Sequence, residues 1–97
     1  MTPDIRPTRE NWHEFCEEPP ITEAEQREWQ EMARAIREDA SGELLDAVVE
    51  ATKETTAAAN ALAGAYSAED WSDMVAWSDA VTRDKRAELA WWRTHNE

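Results

Sequence analysis

Two pairs of carboxylates have the spacing that metal chemistry needs. Glu28-x-x-Glu31 is followed by Glu43-x-x-Asp46. Residues three apart share a helix face, so two facing helices would offer four carboxylates to one or two magnesium ions. His13-x-x-Cys16 would put two N/S ligands on one turn, and Glu10-x-x-His13 is half of a di-iron carboxylate pattern. The chain has one cysteine and two histidines, so neither pattern has its second half and no metal or cofactor is expected. As a nucleophile, Cys16 would have only His13 as a base and no oxyanion hole. No phosphate-binding glycine loop, dinucleotide fingerprint or serine elbow occurs. No catalytic residue is expected.

A second constellation concerns binding. Glu43, Asp46, Glu50 and Glu54 form a row opposite an apolar stripe, with only Lys53 nearby. Like charges three or four apart on a helix cost a few tenths of a kcal/mol per pair. Such a row suits a docking face, or else a solvated outer face. Further on, Asp70, Trp77, Asp84 and Trp91 recur every seven residues, flanked by Asp73 and Glu88. Tryptophan is enriched at binding hot spots. The expected partner-binding set is therefore Glu43, Asp46, Glu50, Glu54, Asp73, Trp77, Asp84, Glu88 and Trp91, all facing outward. The alternative for Trp77 and Trp91 is a second apolar face, covered by the N-terminal arm or by another subunit.

These residues must be positioned by helices. From Ile21 onward Ala, Glu, Arg and Leu dominate, and strand-like runs are absent. Residues 1–10 carry Pro3 and Pro7 and read as an irregular arm. Asn11 caps a short helix that Pro19-Pro20 must end. Thr22-x-x-Glu25 is a capping box, and Trp29, Met32, Ala33, Ile36 and Ala40 form the buried stripe of the helix that follows. On that helix Glu23–Arg27, Arg27–Glu31 and Arg34–Glu38 are four apart and predict local ion pairs. Ser41-Gly42 breaks it. A third helix is predicted from about Glu43 to Ala65, with Leu45, Val48, Val49, Thr52, Thr56, Ala59, Leu62 and Tyr66 on one side. Its alanine-rich second half predicts a close helix crossing. Ser67-x-x-Asp70 resembles a capping box for a fourth helix from about Ala68 to Arg93. Trp71, Met74, Val75, Ser78, Val81, Leu89 and Trp92 would face inward there, and Ser78 and Lys85 leave room for a kink. The expected fold is all-α: one small up-and-down bundle of three main helices and a short N-terminal one, spanning 1–97.

Composition narrows the function. Acidic residues outnumber basic ones 22 to 10, for a formal net charge of −12. That charge opposes direct binding to nucleic acid or an anionic membrane and favours a protein with a basic surface. Arg83, Lys85 and Arg86 are the densest cations, and acids surround them. The opening residues MTPDIRPTRE lack the apolar core of a signal peptide, and no apolar run reaches the length of a membrane span. A cytoplasmic location is expected. Both a monomer and a homodimer are compatible with the sequence.

Three resemblances bear on function. The carboxylate pairs at Glu28, Glu31, Glu43 and Asp46 resemble those of the all-helical MazG-like nucleoside-triphosphate pyrophosphohydrolases, over residues 28–50. The resemblance implies a magnesium-dependent enzyme. The doubled glutamate before the first motif is absent, and Glu43 and Asp46 point away from the apolar stripe by helical phase. Tyr66-x-x-x-Asp70 has the spacing of the export signal of helical-hairpin type VII secretion substrates, without their Trp-x-Gly turn. In size and charge the chain is similar to small anti-restriction and anti-CRISPR proteins of phages. The expected function is a non-catalytic inhibitor that occupies a basic, nucleic-acid-binding surface of its partner. The pyrophosphohydrolase and a self-associating structural subunit are the alternatives.

Overall fold

A computed structural model describes residues 6–63 and 70–96. Among these residues the secondary structure is helical: a 3-10 turn (Trp12–Phe15), then α1 (Glu23–Glu38), α2 (Glu43–Ala51), α3 (Lys53–Ala63) and α4 (Trp71–His95). The expected all-α class holds. No helix among the described residues is long and apolar enough to cross a membrane.

The short N-terminal helix is a single 3-10 turn, because Asn11 turns its side chain backward. Its Oδ1 accepts from the backbone N–H of Thr8 at 2.6 Å and from Thr8 Oγ1 at 2.9 Å, and caps nothing ahead of it. The capping box forms as expected, with both reciprocal bonds between Thr22 and Glu25 at 3.1 Å. At the end of α1, the Asp39 carboxylate accepts from Ser41 N–H, Ser41 Oγ and the N–H of Leu44. These bonds pull its pKa below the ordinary carboxylate value. Gly42 takes the left-handed conformation, φ +76°, and starts α2.

Where one third helix was expected, Thr52 divides two. Its φ and ψ, −112° and 17°, leave the helical region. Its N–H and its Oγ1 both donate to the Val48 carbonyl, at 3.0 and 2.8 Å. A β-branched hydroxyl bonding back four residues bends a helix. The reverse holds for α4, which runs 25 residues through Ser78 and Lys85. Asp70 caps it by accepting from Ser72 N–H, so it begins later than expected. Ala65, Tyr66, Ser67 and Ala68 lie outside the described residues, and with them the expected 67–70 box and the 66–70 export spacing.

Packing is organised around α4, which touches α1, α2, α3 and the 3-10 turn, whereas α1 and α3 do not meet. Its most extensive contact is with alanine-rich α3, where Ala59 and Ala80 are both buried. The molecule is long and thin, 59 × 26 × 17 Å, with a radius of gyration of 16.2 Å. A compact chain of this length would have about 12–13 Å. The buried apolar side chains among the described residues are Met32, Val48, Ala59, Ala80 and Leu89. So small a core leaves part of each stripe uncovered: Leu45, Val49 and Val81, expected inside, are exposed. Ala40 also lies exposed beyond the end of α1.

Candidate docking surface

The row on α2 and the start of α3 stands outward. Glu43, Asp46, Glu50 and Glu54 are all exposed, and none of their carboxylates has an ion-pair or hydrogen-bond partner among the described residues. By helical phase the first three lie about 140–180° from the direction of buried Val48 and Thr52. Gly42 and Thr52 set this arrangement: the first lets the chain turn after α1, the second bends it into α3.

The cations of α4 are engaged away from the row, while Lys53 beside it and Arg34 and Arg37 on α1 are exposed and form no ion pair among the described residues. Arg83 pairs with Glu18 at 2.7 Å and Glu17 at 3.3 Å. Arg86 binds Glu25 through Nε at 2.9 Å and donates to the carbonyls of Pro19 and Pro20. Arg93 grips Glu28 with two bonds of 2.8 Å. Lys85 donates to Gln26 at 2.7 Å and lies 4.5 Å from the centroid of the Trp29 ring. The Arg86 guanidinium holds the Glu25 carboxyl down at about 2. On α1 only Glu23–Arg27 of the three expected local pairs forms, at 3.5 Å; Arg27–Glu31 and Arg34–Glu38 do not. Glu25 and Glu28 reach across to α4 instead. These four cations thus serve the junction of α1, α4 and the N-terminal segment. Residues 38–63, which contain α2 and α3, hold six carboxylates and one lysine.

The strip on α4 departs from its expected position, because α3 and α1 each meet one of its acids. Asp84 Oδ1 accepts from Thr55 Oγ1 at 2.8 Å and Thr56 Oγ1 at 2.9 Å. Glu88 Oε2 accepts from the Trp29 indole N–H at 2.7 Å, and burial pushes its carboxyl pKa up. Both acids point into the fold, not away from it. Trp77, Trp91 and Asp73 are half-buried, and the Trp91 ring stacks on His95 at 4.8 Å. The outer face of α4 is instead the line of Ser72, Ala76, Arg83 and Ala90, all exposed and about one residue around the helix from the Trp77–Asp84–Trp91 row.

A groove unforeseen in the sequence opens between α1 and α2. It has a volume of about 300 Å³. Trp29, Met32, Ala33 and Ile36 form one wall, Leu45, Val48, Val49 and Thr52 the other, and Thr56 and Glu88 complete the lining. Leu45 and Val49 are 48% and 54% exposed. A signal for it does exist: Leu44, Leu45, Val48, Val49 and Thr52 span about 140° of the α2 circumference, too wide an arc for one neighbour to cover.

The other candidate chemistry is not assembled. Among the described residues no group of three or more His, Cys, Asp or Glu side chains could hold a metal ion. Glu28 is committed to Arg93, while Glu31, Glu43 and Asp46 are exposed, so the four carboxylates do not converge as a pyrophosphohydrolase site would require. His13 is exposed and edge-on to Trp12. Cys16 Sγ donates to the Trp12 carbonyl at 4.0 Å, and burial raises the thiol pKa, which lowers the thiolate fraction.

Compared with protein-family models, with curated proteins and with solved structures, the chain matches none.

Proposed function

We propose that this protein is a non-catalytic binding module whose acidic face, Glu43, Asp46, Glu50 and Glu54, docks on a basic surface of a protein partner. One observation carries the proposal. These four carboxylates stay exposed and uncompensated while Arg83, Arg86 and Arg93 of α4 are paired with other acids. Glu43 and Asp46 lie in the first turn of α2 and Glu54 in that of α3, where the helix dipole offsets their mutual repulsion, so it is their open exposure beside few cations that supports docking. The remainder of the net charge, −12, would speed encounter with a cationic partner.

In its concrete form the partner is a nucleic-acid-processing protein, and the module competes with DNA or RNA in the cytoplasm. Glu43, Asp46 and Glu50 follow one another at a rise of about 4.5–6 Å along the axis of α2. A single DNA strand presents one charge per roughly 3.4 Å. The row is sparser than a phosphate strand, so it would compete by occupying a few phosphate positions rather than by copying a duplex.

The test compares the native chain with a Glu43→Gln, Asp46→Asn, Glu50→Gln, Glu54→Gln variant in pull-downs from the native host. Captured protein is then identified and challenged with duplex DNA and with rising salt. Partner capture should be lost in the variant, competed by DNA and weakened steeply by salt. The variant itself should fold with its stability changed by no more than about 1 kcal/mol, because relief of like-charge repulsion and loss of first-turn dipole interactions oppose one another. Capture indifferent to both the substitutions and the salt overturns the proposal.

A further inference from the structure

We propose that the groove between α1 and α2 receives an amphipathic basic helix of a protein partner, with apolar side chains seated between the two walls and a lysine or arginine meeting Glu88. The inference rests on the acidic docking face and specifies what enters beside it.

Geometry selects a helix. One wall is Trp29, Met32, Ala33 and Ile36 and the other is Leu45, Val48, Val49 and Thr52. Each wall follows the i, i+3, i+4, i+7 spacing that a third helix packs against, ridge into groove. A helix also arrives with its backbone hydrogen bonds already made, and these walls of side chains offer no sheet edge to a strand.

Charge selects its sign. Asp46 and Glu50, exposed and unpaired, adjoin the exposed Leu45 and Val49 along α2. Glu88 faces the groove with only Oε2 engaged by Trp29; its Oε1 accepts no bond from a described residue. Arg37 flanks the α1 wall by helical phase, so the basic side of the guest should lie toward α2. A second copy of this chain is a poor occupant, since it would bring two such rows together at a net charge of −12 each.

The experiment uses the full chain and three labelled synthetic peptides of about 18 residues, some 27 Å of helix. The first carries Leu and Ile at i, i+3, i+4 and i+7 with Lys and Arg elsewhere. The second has the same composition shuffled so that the stripe is lost. The third keeps the stripe and replaces every cation with Glu. Fluorescence anisotropy should show the first binding at least about tenfold more tightly than the second, and the third not binding. Leu45→Gln with Val49→Gln should bring the first peptide down to the level of the second. Both side chains are about half-exposed, so helix content by circular dichroism should hold. Glu88→Gln should weaken the first peptide several-fold. Neutralising Glu43, Asp46, Glu50 and Glu54 should weaken the first two peptides alike.

Equal binding of the striped and shuffled peptides overturns the groove proposal and leaves the acidic docking face standing. Absence of binding to either basic peptide overturns both. Sedimentation showing a dimer that Leu45→Gln with Val49→Gln dissociates would assign the groove to a second copy, and the proposal would fall.

Discussion

Asp79 shows how one side chain holds a segment that has little regular structure. It is buried in the middle of α4, and its two oxygens accept from the backbone N–H groups of Glu17 and Glu18 at 3.0 and 3.1 Å. Arg83 and Arg86 bind the side chains around that clamp. Asp79→Ala removes two charge-assisted bonds, and urea denaturation should show a loss of about 2–4 kcal/mol. Hydrogen exchange should quicken first at the Glu17 and Glu18 amides. Glu25 and Glu88 give stability a pH dependence of opposite sign. Arg86 lowers the folded Glu25 pKa from 4.5 to about 2, so its contribution is present above pH 4.5 and lost as pH falls toward 2. Glu25→Gln retains a capping-box residue, so its stability deficit should exist at neutral pH and close across that acid window. Burial raises the folded Glu88 pKa, so its term is favourable at low pH and lost as pH rises through the raised value. Glu88→Gln should therefore fold at neutral pH at least as stably as the native chain while binding the basic peptide less well, a pairing that thermal melts and anisotropy together would reveal.

At the scale of elements, local chemistry determined a boundary where a short-range motif has one dominant geometry. The Thr22–Glu25 box and the Gly42 turn are such cases. A Cβ built on Gly42 meets nothing within 4 Å, so Gly42→Ala has room but must adopt a left-handed φ of +76°. Its cost should be about 1–2 kcal/mol by chemical denaturation, with α1 and α2 otherwise unchanged. Two junctions were less legible. Thr52 looked like one more member of an apolar stripe, yet its hydroxyl bonds back to Val48 and splits the helix. Asn11 looked like a cap, yet its side chain serves Thr8. In each case a short polar side chain had two backbone groups within reach, and spacing alone does not choose between them. Glu25 and Glu28, which have no cation three or four residues away on α1, pair with arginines of α4 that spacing along one helix does not indicate.

The whole molecule is a thin assembly around one helix, and its economy of core has consequences. Leu89 is 1% exposed and Met32 2%, with few other buried apolar side chains among the described residues. Leu89→Ala should cost about 2–5 kcal/mol, a large share of the 5–15 kcal/mol that keeps a typical domain folded. Calorimetry should show either a much lower melting temperature or no cooperative transition. The same thinness leaves Leu45 and Val49 uncovered beside the acid row. It also separates charge. Ion pairs tie α1 and the N-terminal segment to α4, while α2 and the first turn of α3 keep bare carboxylates.

The sequence by itself determined the helical class, the cap and turn that bound α1, and the outward direction of Glu43, Asp46 and Glu50, because these depend on residues within a few positions of one another. Only the tertiary structure decided what covers α4. Helical periodicity says which residues share a face, but it does not count the neighbours that a helix will have. With α3 on one side and α1 on the other, Asp84 and Glu88 became internal acceptors, while Leu45 and Val49, members of a correctly identified stripe, stayed exposed because the core has too few partners to bury them.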